Sequence, residues 1–293
     1  MWLIVINRKS GRGHASRYCK ELTAQLASNR IKFIVIDEDT ADKTKSQLQM
    51  RLNHPEVENV IAIGGDGLVH LCIQYLANSH CGFAVIPAGT GNDFARTTGV
   101  HRLDVAKIFD LIIHTTPKAI DLGCIKIQDK TEWFVQVLST GFDSNVNQLA
   151  NKIRFVKGRI KYTIAMILVL AKFKPINYSL EIDGESSDVK SMLLSVANGG
   201  NYGGGMKICP TADNTDGRLN LISIDPVSRF TLLRIFPKVF RGTHVNHPKV
   251  KSYTGKRIKL SGATSAYADG EHISGLPIEI LVSGSALKTW ING

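Results

Sequence analysis

The chain has 293 residues, of which 43% are hydrophobic and 21% charged, a composition that excludes a disordered chain and suits one large domain or two modest ones. The formal net charge of +11 and the sequence pI of about 9.4 favour anionic partners such as nucleotides, acidic lipid headgroups or nucleic acid, with a basic surface that has no such partner as the plain alternative. The five scattered cysteines form no CxxC pair, so the sequence predicts neither a disulfide framework nor a zinc site and indicates a reducing compartment.

No secretion signal or membrane span is predicted. The apolar segment Trp2–Ile6 is too short for a signal peptide and is typical of a first strand. The longest apolar run, Ile164–Ala171, is far shorter than the roughly 18 residues that a membrane span needs. We therefore expect the protein in the cytoplasm, with any membrane contact peripheral and at the inner face.

The first ~120 residues alternate short apolar strands with helices, which predicts a doubly wound parallel sheet whose ligands bind at the carboxyl ends of the strands. The predicted strands are Leu3–Ile6, Ile31–Asp37, Val60–Ile63 and Phe83–Ile86, and the predicted helices are Arg17–Ser28, Thr44–Leu52 and Leu68–Leu76.

Two of these strands run into a glycine turn that carries an aspartate. Gly64–Gly67 follows the third strand, and Gly89–Arg96 follows the fourth. Glycines let backbone N–H groups approach a phosphate, and aspartates suit Mg²⁺, directly or through water. Each turn alone could merely close a strand–helix connection, but the polar groups of Asn92–Arg96 exceed what a simple turn needs. The pair therefore predicts a nucleotide-phosphate site built from loops, without a Walker lysine.

After Asp121 the pattern changes to short strands separated by glycine, asparagine and aspartate turns, which predicts an antiparallel sandwich or barrel. Two helices interrupt it, an insert at Phe155–Lys174 and a second helix at roughly Arg229–Arg241. The predicted strands are Cys124–Gln128, Trp133–Leu138, Tyr178–Ile182, Ser191–Ala197, Leu219–Ile224, Arg257–Ser261, Ala266–Asp269 and Ile278–Val282.

The insert has two interpretations. Its apolar residues are bracketed by lysines and arginines, so it could lie on an anionic bilayer. Its ordinary helical spacing favours a core helix with solvated ends. The histidines show no metal-ligand spacing, and we expect His244 and His247 to be solvated in a loop.

Eight segments, in order along nearly the whole chain, resemble the lipid kinases that share the diacylglycerol kinase catalytic domain, the bacterial soluble branch in particular. Sphingosine and ceramide kinases share that domain, and NAD kinase and 6-phosphofructokinase are distant relatives. The segments are Asn7–Gly11, Gly64–Gly67, Pro87–Arg96, Ile120–Gly123, Ser139–Asp143, Asn198–Gly205, Asp213–Leu219 and Asp269–Glu271.

The resemblance implies an N-terminal α/β nucleotide-binding domain and a C-terminal antiparallel β-sandwich domain for the lipid, with the active site in the cleft between them. The expected boundaries are 1–122 with a returning segment 287–293, and 123–286. The implied partners are a nucleotide and a lipid at a membrane surface. A homodimer is compatible with the resemblance, and nucleic acid is the weakest candidate partner because no recognised motif accompanies the charge.

The implied cofactors are ATP and Mg²⁺. Asp66, Asp93 and Asp121 are expected to form a hydrated network around the metal, while Arg12 and Arg96 offer planar donors to phosphate. The residues expected to bind MgATP are Asn7, Ser10, Gly11, Arg12, Thr40, Gly64, Gly65, Asp66, Gly67, Thr90, Gly91, Asn92, Asp93, Arg96 and Asp121.

Two further acidic motifs gain meaning from the resemblance. Asp269 is the expected general base for the lipid hydroxyl, with Glu271 as the second candidate; a hairpin turn with two solvated acids is the alternative. Asp213, Asp216 and Arg218 are expected at a second, structural Mg²⁺ site, with a plain Asx turn as the alternative.

The chain departs from the family turn, which usually reads Gly-Gly-Asp-Gly-Thr, followed two residues later by Asn and then Glu. Leu68, His70 and Leu71 occupy those positions, and Arg8 stands where proline is usual. All expected acids are present, so the sequence predicts a working kinase with altered nucleotide handling. A kinase for a soluble acceptor and a catalytically silent lipid- or nucleotide-binding regulator remain the alternatives.

Overall fold

The computed structural model describes residues 1–140, 168–169 and 174–292, apart from the side chain of Arg12. The chain divides into two compact units, Met1–Leu122 with Gly284–Gly293, and Gly123–Ser283. Most of the predicted insert Phe155–Lys174, and residues 141–143 of one motif, lie outside the described residues.

The first unit alternates strands with helices. Its central strands are buried along almost their whole length, because both faces of a parallel sheet are covered. The elements are β1 (Trp2–Ile6), a 3₁₀ turn (Ser10–Gly13), α1 (His14–Ser28), β2 (Phe33–Ile36), α2 (Ala41–Leu52), β3 (Asn59–Gly64), α3 (Asp66–Leu76), β4 (Gly82–Pro87), α4 (Asp93–Thr97) and α5 (Val105–His114).

The rest of the described chain is mostly strands, two of which, β5 and β16, contribute residues to both units. The elements are β5 (Lys118–Ile127), β6 (Lys130–Phe134), β7 (Val137–Thr140), β8 (Ile176–Ile182), β9 (Glu185–Ser191), β10 (Leu193–Ala197), β11 (Leu219–Ile224), α6 (Arg229–Val239), a 3₁₀ turn (Thr243–Asn246), β12 (Val250–Gly255), β13 (Arg257–Gly262), β14 (Ser265–Ala268), β15 (Glu271–Gly275) and β16 (Ile278–Thr289).

The parallel sheet of the first unit has a topological switch point. β1 pairs in parallel with β2 on one side and with β3 on the other, and β4 continues the sheet beyond β3. The chain therefore winds in opposite directions from β1 and from β3. Such a reversal opens a crevice at the carboxyl ends of the two strands, where ligands of α/β sheets bind. The loops that begin at Asn7 and at Gly64 leave from these two ends.

The second unit is an antiparallel β-sandwich. One sheet has the strand order β12-β11-β10-β7-β14-β15, and the other contains β16-β13-β8-β9. A core of buried side chains joins them, with Val196 and Leu221 from the first sheet packing in one cluster with Leu180 and Ile258 from the second. A further buried cluster contains Ile222, on β11, together with residues of α6.

The doubly wound sheet and the sandwich agree with the fold class predicted from the sequence. Three strands of the second unit were missed: β9, β12 and β15. β9 consists of Glu185–Ser191, is mostly exposed and lies at a sheet edge, so it carries no alternating apolar pattern. The predicted strand Trp133–Leu138 is also interrupted, because β6 ends at Phe134 and β7 begins at Val137.

The expectation for His244 was wrong. Its side chain is fully buried, and ring Nε2 lies 2.9 Å from the carbonyl oxygen of Ile208. The 3₁₀ turn that contains it packs beside α6, a tertiary contact that the surrounding polar sequence does not reveal. Burial lowers the pKa of His244, and the hydrogen bond with Ile208 opposes this only in part.

This histidine makes stability depend on pH. Because the folded state disfavours protonated His244, the unfolded state takes up the proton first, and stability falls as the pH drops below the ordinary pKa of 6.5. We expect the melting temperature to fall less between about pH 7.5 and about pH 5.5 in His244→Gln than in wild type, measured by calorimetry. His54→Gln, at an exposed histidine, should keep the wild-type dependence; an unchanged dependence in His244→Gln would contradict the assignment.

Candidate active site

The loop after β1 is fastened to the end of β3. The N–H of Asn7 donates to the carbonyl oxygen of Ile63 at 3.1 Å. The side-chain oxygen of Asn7 accepts the N–H of Lys9 at 3.1 Å, and its carbonyl accepts the N–H of Ser10 at 3.0 Å. The first predicted phosphate-binding segment therefore turns sharply at the switch point.

Glycines let three loops approach one another here. A Cβ on Gly11, which has φ +63°, would lie 2.6 Å from the carbonyl oxygen of Ala88. A Cβ on Gly89 would lie 2.5 Å from the Cα of Gly65, and a Cβ on Gly91 would lie 2.4 Å from Oδ2 of Asp66. Each contact is shorter than a side chain allows. The glycines that were predicted to cradle phosphate are thus required by close backbone packing.

The structure brings together two of the three predicted magnesium-network acids. Oδ1 of Asp66 accepts the N–H of Asp93 at 2.7 Å. Asp66 begins α3, where the positive end of the helix dipole favours a carboxylate. Nε of Arg96 lies 4.0 Å from Oδ1 of Asp93 and donates to the carbonyl oxygen of Gly91 at 3.4 Å. Two carboxylates and one guanidinium are therefore clustered beside the glycine loops.

Asn92 shapes the second glycine turn from within. Its Nδ2 donates to the carbonyl oxygen of Gly89 at 2.9 Å, and its Oδ1 accepts the N–H of Gly89 at 3.0 Å. With φ at +54°, Asn92 occupies the left-handed region that asparagine tolerates better than most residues. Both ends of this amide are engaged in the turn. Thr90 is exposed in the same turn, and Gly67 is exposed in the first turn of α3.

Asp121 is the third acid of the predicted magnesium network. It is buried on β5, and its Oδ1 accepts the N–H of Ser285 at 2.8 Å. Across the described residues, no group of three or more acidic, histidine or cysteine side chains could hold a metal ion directly. The carboxylates fit Mg²⁺ through bound water, since this ion keeps several waters in protein sites.

Thr40 and Arg12 are two further residues that the sequence predicts to contact the nucleotide. Thr40 is the N-cap of α2, where its hydroxyl accepts the N–H of Lys43 at 3.3 Å. The side chain of Arg12 lies outside the described part of the chain. Both assignments to the nucleotide stay predictions.

Two of the three positions at which the chain departs from the family turn, Leu68 and His70, are buried, and the third, Leu71, is partly exposed. Leu68, in the first turn of α3, packs so closely that a Cβ on Gly64 would lie 2.8 Å from its Cδ2. His70 is also buried, with Nε2 at 3.4 Å from the amide nitrogen of Gln74. Arg8, at the usual proline position, forms an ion pair with Asp37.

In the second unit, the Asp269 carboxylate binds the backbone of a segment that is distant in sequence. Its carboxylate accepts the N–H groups of Val135, Gln136 and Val137 at 2.9, 2.9 and 3.1 Å. Its own N–H donates to the carbonyl oxygen of Val137 at 3.0 Å, and its φ is +50°. These bonds fix the direction of the carboxylate. Glu271, at the start of β15, is exposed.

Asn198 holds the same segment from its other side, a role that sequence reasoning missed. Its Nδ2 donates to the carbonyl oxygen of Val135 at 3.0 Å, and its N–H donates to that of Gln136 at 2.9 Å. Asn198 begins Asn198–Gly205, one of the eight segments that resemble the family. The signal was its place directly after the buried strand β10, where an amide can satisfy backbone groups that a ladder no longer pairs.

The predicted second metal residues form local turns. Oδ1 of Asp213 accepts the N–H of Thr215 at 2.9 Å, and Oδ1 of Asp216 accepts the N–H of Arg218 at 2.9 Å. Asp213, Asp216 and Arg218 are all exposed. These hydrogen bonds are those of Asx turns, which the sequence offered as the alternative to a metal site. The structural Mg²⁺ site stays a prediction.

The packing of Gly91 against Asp66 can be tested by adding one methyl group. We expect Gly91→Ala to displace the Asp66 carboxylate and to weaken MgATP binding about tenfold, measured by titration calorimetry. The free energy of unfolding should change by less than about 1 kcal/mol, because only the end of a side chain must move. Gly275→Ala is the matched control, since a Cβ there meets no atom within 4 Å. Equal MgATP affinity in both variants would contradict the role of this contact.

Comparisons with known proteins identify the family of this chain. Residues 1–125 match the family model of the diacylglycerol kinase catalytic domain, and residues 136–291 match that of the YegS C-terminal NAD kinase beta sandwich-like domain. A diacylglycerol kinase of Mycobacterium tuberculosis is 35% identical over 285 residues, covering 96% of this chain and 92% of its own length. One of Bacillus subtilis is 27% identical over 231 residues, covering 77% of this chain and 75% of its own.

Solved structures show the same fold. A crystal structure described as a diacylglycerol kinase from Bacillus anthracis superposes with a TM-score of 0.75 at 20% identity, covering 99% of this chain and 96% of that one. The fold, the ordered motifs and the full-length similarity lead to one conclusion: the chain belongs to the diacylglycerol kinase catalytic-domain family, with a YegS-type C-terminal domain.

Proposed function

We propose that this protein is an ATP-dependent lipid kinase that transfers a phosphoryl group to a hydroxyl of diacylglycerol or a closely related lipid. The observation that carries the proposal is the Asp66–Asp93 pair, set among glycine-packed loops at the switch point of the parallel sheet. Family membership supports a lipid kinase, and the names of the relatives support the choice of acceptor.

Phosphoryl transfer needs positioning and charge neutralisation more than covalent participation by the protein. The backbone of Gly64–Gly67 is suited to hold phosphate oxygens, because its glycines allow close approach. Arg96 offers a planar guanidinium to the same anion. Mg²⁺ bound to ATP would neutralise the developing negative charge, with Asp66 and Asp93 orienting its water ligands.

The acceptor hydroxyl needs a base, and Asp269 suits that role. A carboxylate that three backbone N–H groups hold in one direction loses little freedom when the substrate arrives. Glu271 is the second candidate, on an exposed strand end.

Transfer of labelled γ-phosphate from MgATP to diacylglycerol in detergent micelles tests the proposal. We expect wild type to give a labelled lipid and Asp66→Asn to reduce the rate at least about 100-fold, because the carboxylate that would orient the water ligands of Mg²⁺ is lost. Asp188→Asn, at an exposed aspartate on β9, is the matched control and should keep wild-type activity. A folded wild type that binds MgATP but labels no lipid would contradict the proposal.

Asp269 requires a design that separates catalysis from folding. Asparagine tolerates the positive φ but turns an NH₂ group toward one backbone donor, so Asp269→Asn should also lose about 1–3 kcal/mol of stability. At a temperature where the variant is folded, we expect its rate to fall at least about 100-fold and Glu271→Gln to retain most activity. The opposite ranking would move the base to Glu271.

A kinase for a soluble acceptor is the second candidate, supported by the match to a NAD kinase-like sandwich domain. Soluble acceptors, NAD among them, should be assayed beside the lipids. The silent-regulator alternative depends on Leu68, His70 and Leu71. Activity that arises only in Leu68→Thr with His70→Asn would favour it over the proposed kinase.

A further inference from the structure

The helix α6 packs against the sandwich by one face only. Leu232 and Val239 lie in the buried cluster that also contains Ile222 of β11. Ile235, between them along the helix, is buried as well. These three positions are spaced by three and four residues, so they form one stripe along the helix. Phe236, which is partly buried, also packs against this cluster, and the rest of the surface of α6 faces away from it.

That remaining surface carries large apolar side chains. Phe230 is 80% exposed, Leu233 is 43% exposed and Phe240, just after the helix, is 45% exposed. Phe230 is the most exposed large hydrophobic residue in the part of the chain that the structure describes. Positions 230, 233, 237 and 240 follow the helical period, so these side chains form a stripe rather than scattered exceptions.

Cations are interleaved with this stripe. Arg229, Arg234, Lys238 and Arg241 are exposed, and none of them forms an ion pair with another described residue. The sequence from 226 to 248 contains no aspartate or glutamate. We call the set of Phe230, Leu233, Arg234, Lys238 and Phe240 the outer face of α6. It combines apolar side chains with uncompensated positive charge on one surface.

We propose that the outer face of α6 docks on an anionic phospholipid bilayer. Aromatic and leucine side chains on a helix that also carries lysines and arginines can bury their apolar parts at the headgroup boundary while the cations stay among the phosphates. Charge complementarity selects an anionic surface, because four cations that form no ion pair with a described residue gain most from negative headgroups. We choose a bilayer over an acidic protein as the partner because the proposed substrate is a lipid. In that one respect the inference rests on the proposed function.

Co-sedimentation with vesicles tests this docking without nucleotide or catalysis. The probe vesicles contain phosphatidylcholine with about one third phosphatidylglycerol, and vesicles of phosphatidylcholine alone serve for comparison. We expect wild type to bind the anionic vesicles and to be released by about 0.5 M salt, which screens the charges. Each cation near the surface contributes about fivefold to partitioning, so Arg234→Gln with Lys238→Gln should bind about 25-fold more weakly.

The apolar part is tested separately by Phe230→Ser with Phe240→Ser, which should weaken vesicle binding at least about tenfold. Both side chains are substantially exposed, so we expect the variant to stay folded. The melting temperature measures whether it does. Matched controls remove the same features elsewhere: Lys190→Gln with Lys256→Gln for exposed charge in the same unit, and Met50→Ser for an exposed apolar side chain. These should bind vesicles like wild type.

Each outcome decides for or against the proposal. Loss of binding in both α6 variants, with the controls unchanged, supports it. Wild type that ignores anionic vesicles, α6 variants that bind like wild type, or equal binding to neutral vesicles would overturn it. Specific binding of an acidic protein to this face without vesicle binding would overturn it as well. Vesicle binding that is intact in a protein without phosphotransfer would count against the proposed function alone.

Discussion

The close contact between Gly65 and Gly89 determines how near the loops after β3 and β4 can approach each other. A side chain at either position would separate the loops after β3 and β4, since a Cβ on Gly89 would lie 2.5 Å from the Cα of Gly65. Only with these loops touching can Asp66 reach the N–H of Asp93. The acidic pair is therefore a consequence of two missing side chains at a switch point of the sheet.

Both units use a carboxylate to hold backbone from a distant part of the sequence. Asp66 accepts an N–H from 27 residues away, and Asp269 accepts three from more than 130 residues away. Such bonds satisfy donors that loops would otherwise expose, and they fix the direction of the acid before a ligand arrives. A group oriented in advance needs less ordering during binding, which favours affinity and catalysis alike.

The doubly wound sheet could be predicted because β1, β3 and β4 are apolar at nearly every position, a pattern that exposed strands do not show. The loops of the candidate site could be predicted because close backbone approach leaves a glycine signature. The partners of Asn198 and His244 could not be predicted, because Val135 and Ile208 are distant from them in sequence. Local pattern identifies which residues can do chemistry, whereas tertiary packing decides which of them are occupied in holding the fold.

The polar composition of β9, which prevented its prediction from the sequence, also affects how protein molecules associate at high protein concentration. An edge strand offers unpaired N–H and C=O groups to any neighbouring chain, and a flat apolar edge invites intermolecular β-pairing. Glu185, Asp188 and Lys190 place charges of both signs along β9, so a second molecule that added a strand there would have to remove them from water. The same residues that conceal the strand from sequence analysis thus protect the sandwich against aggregation at its edge.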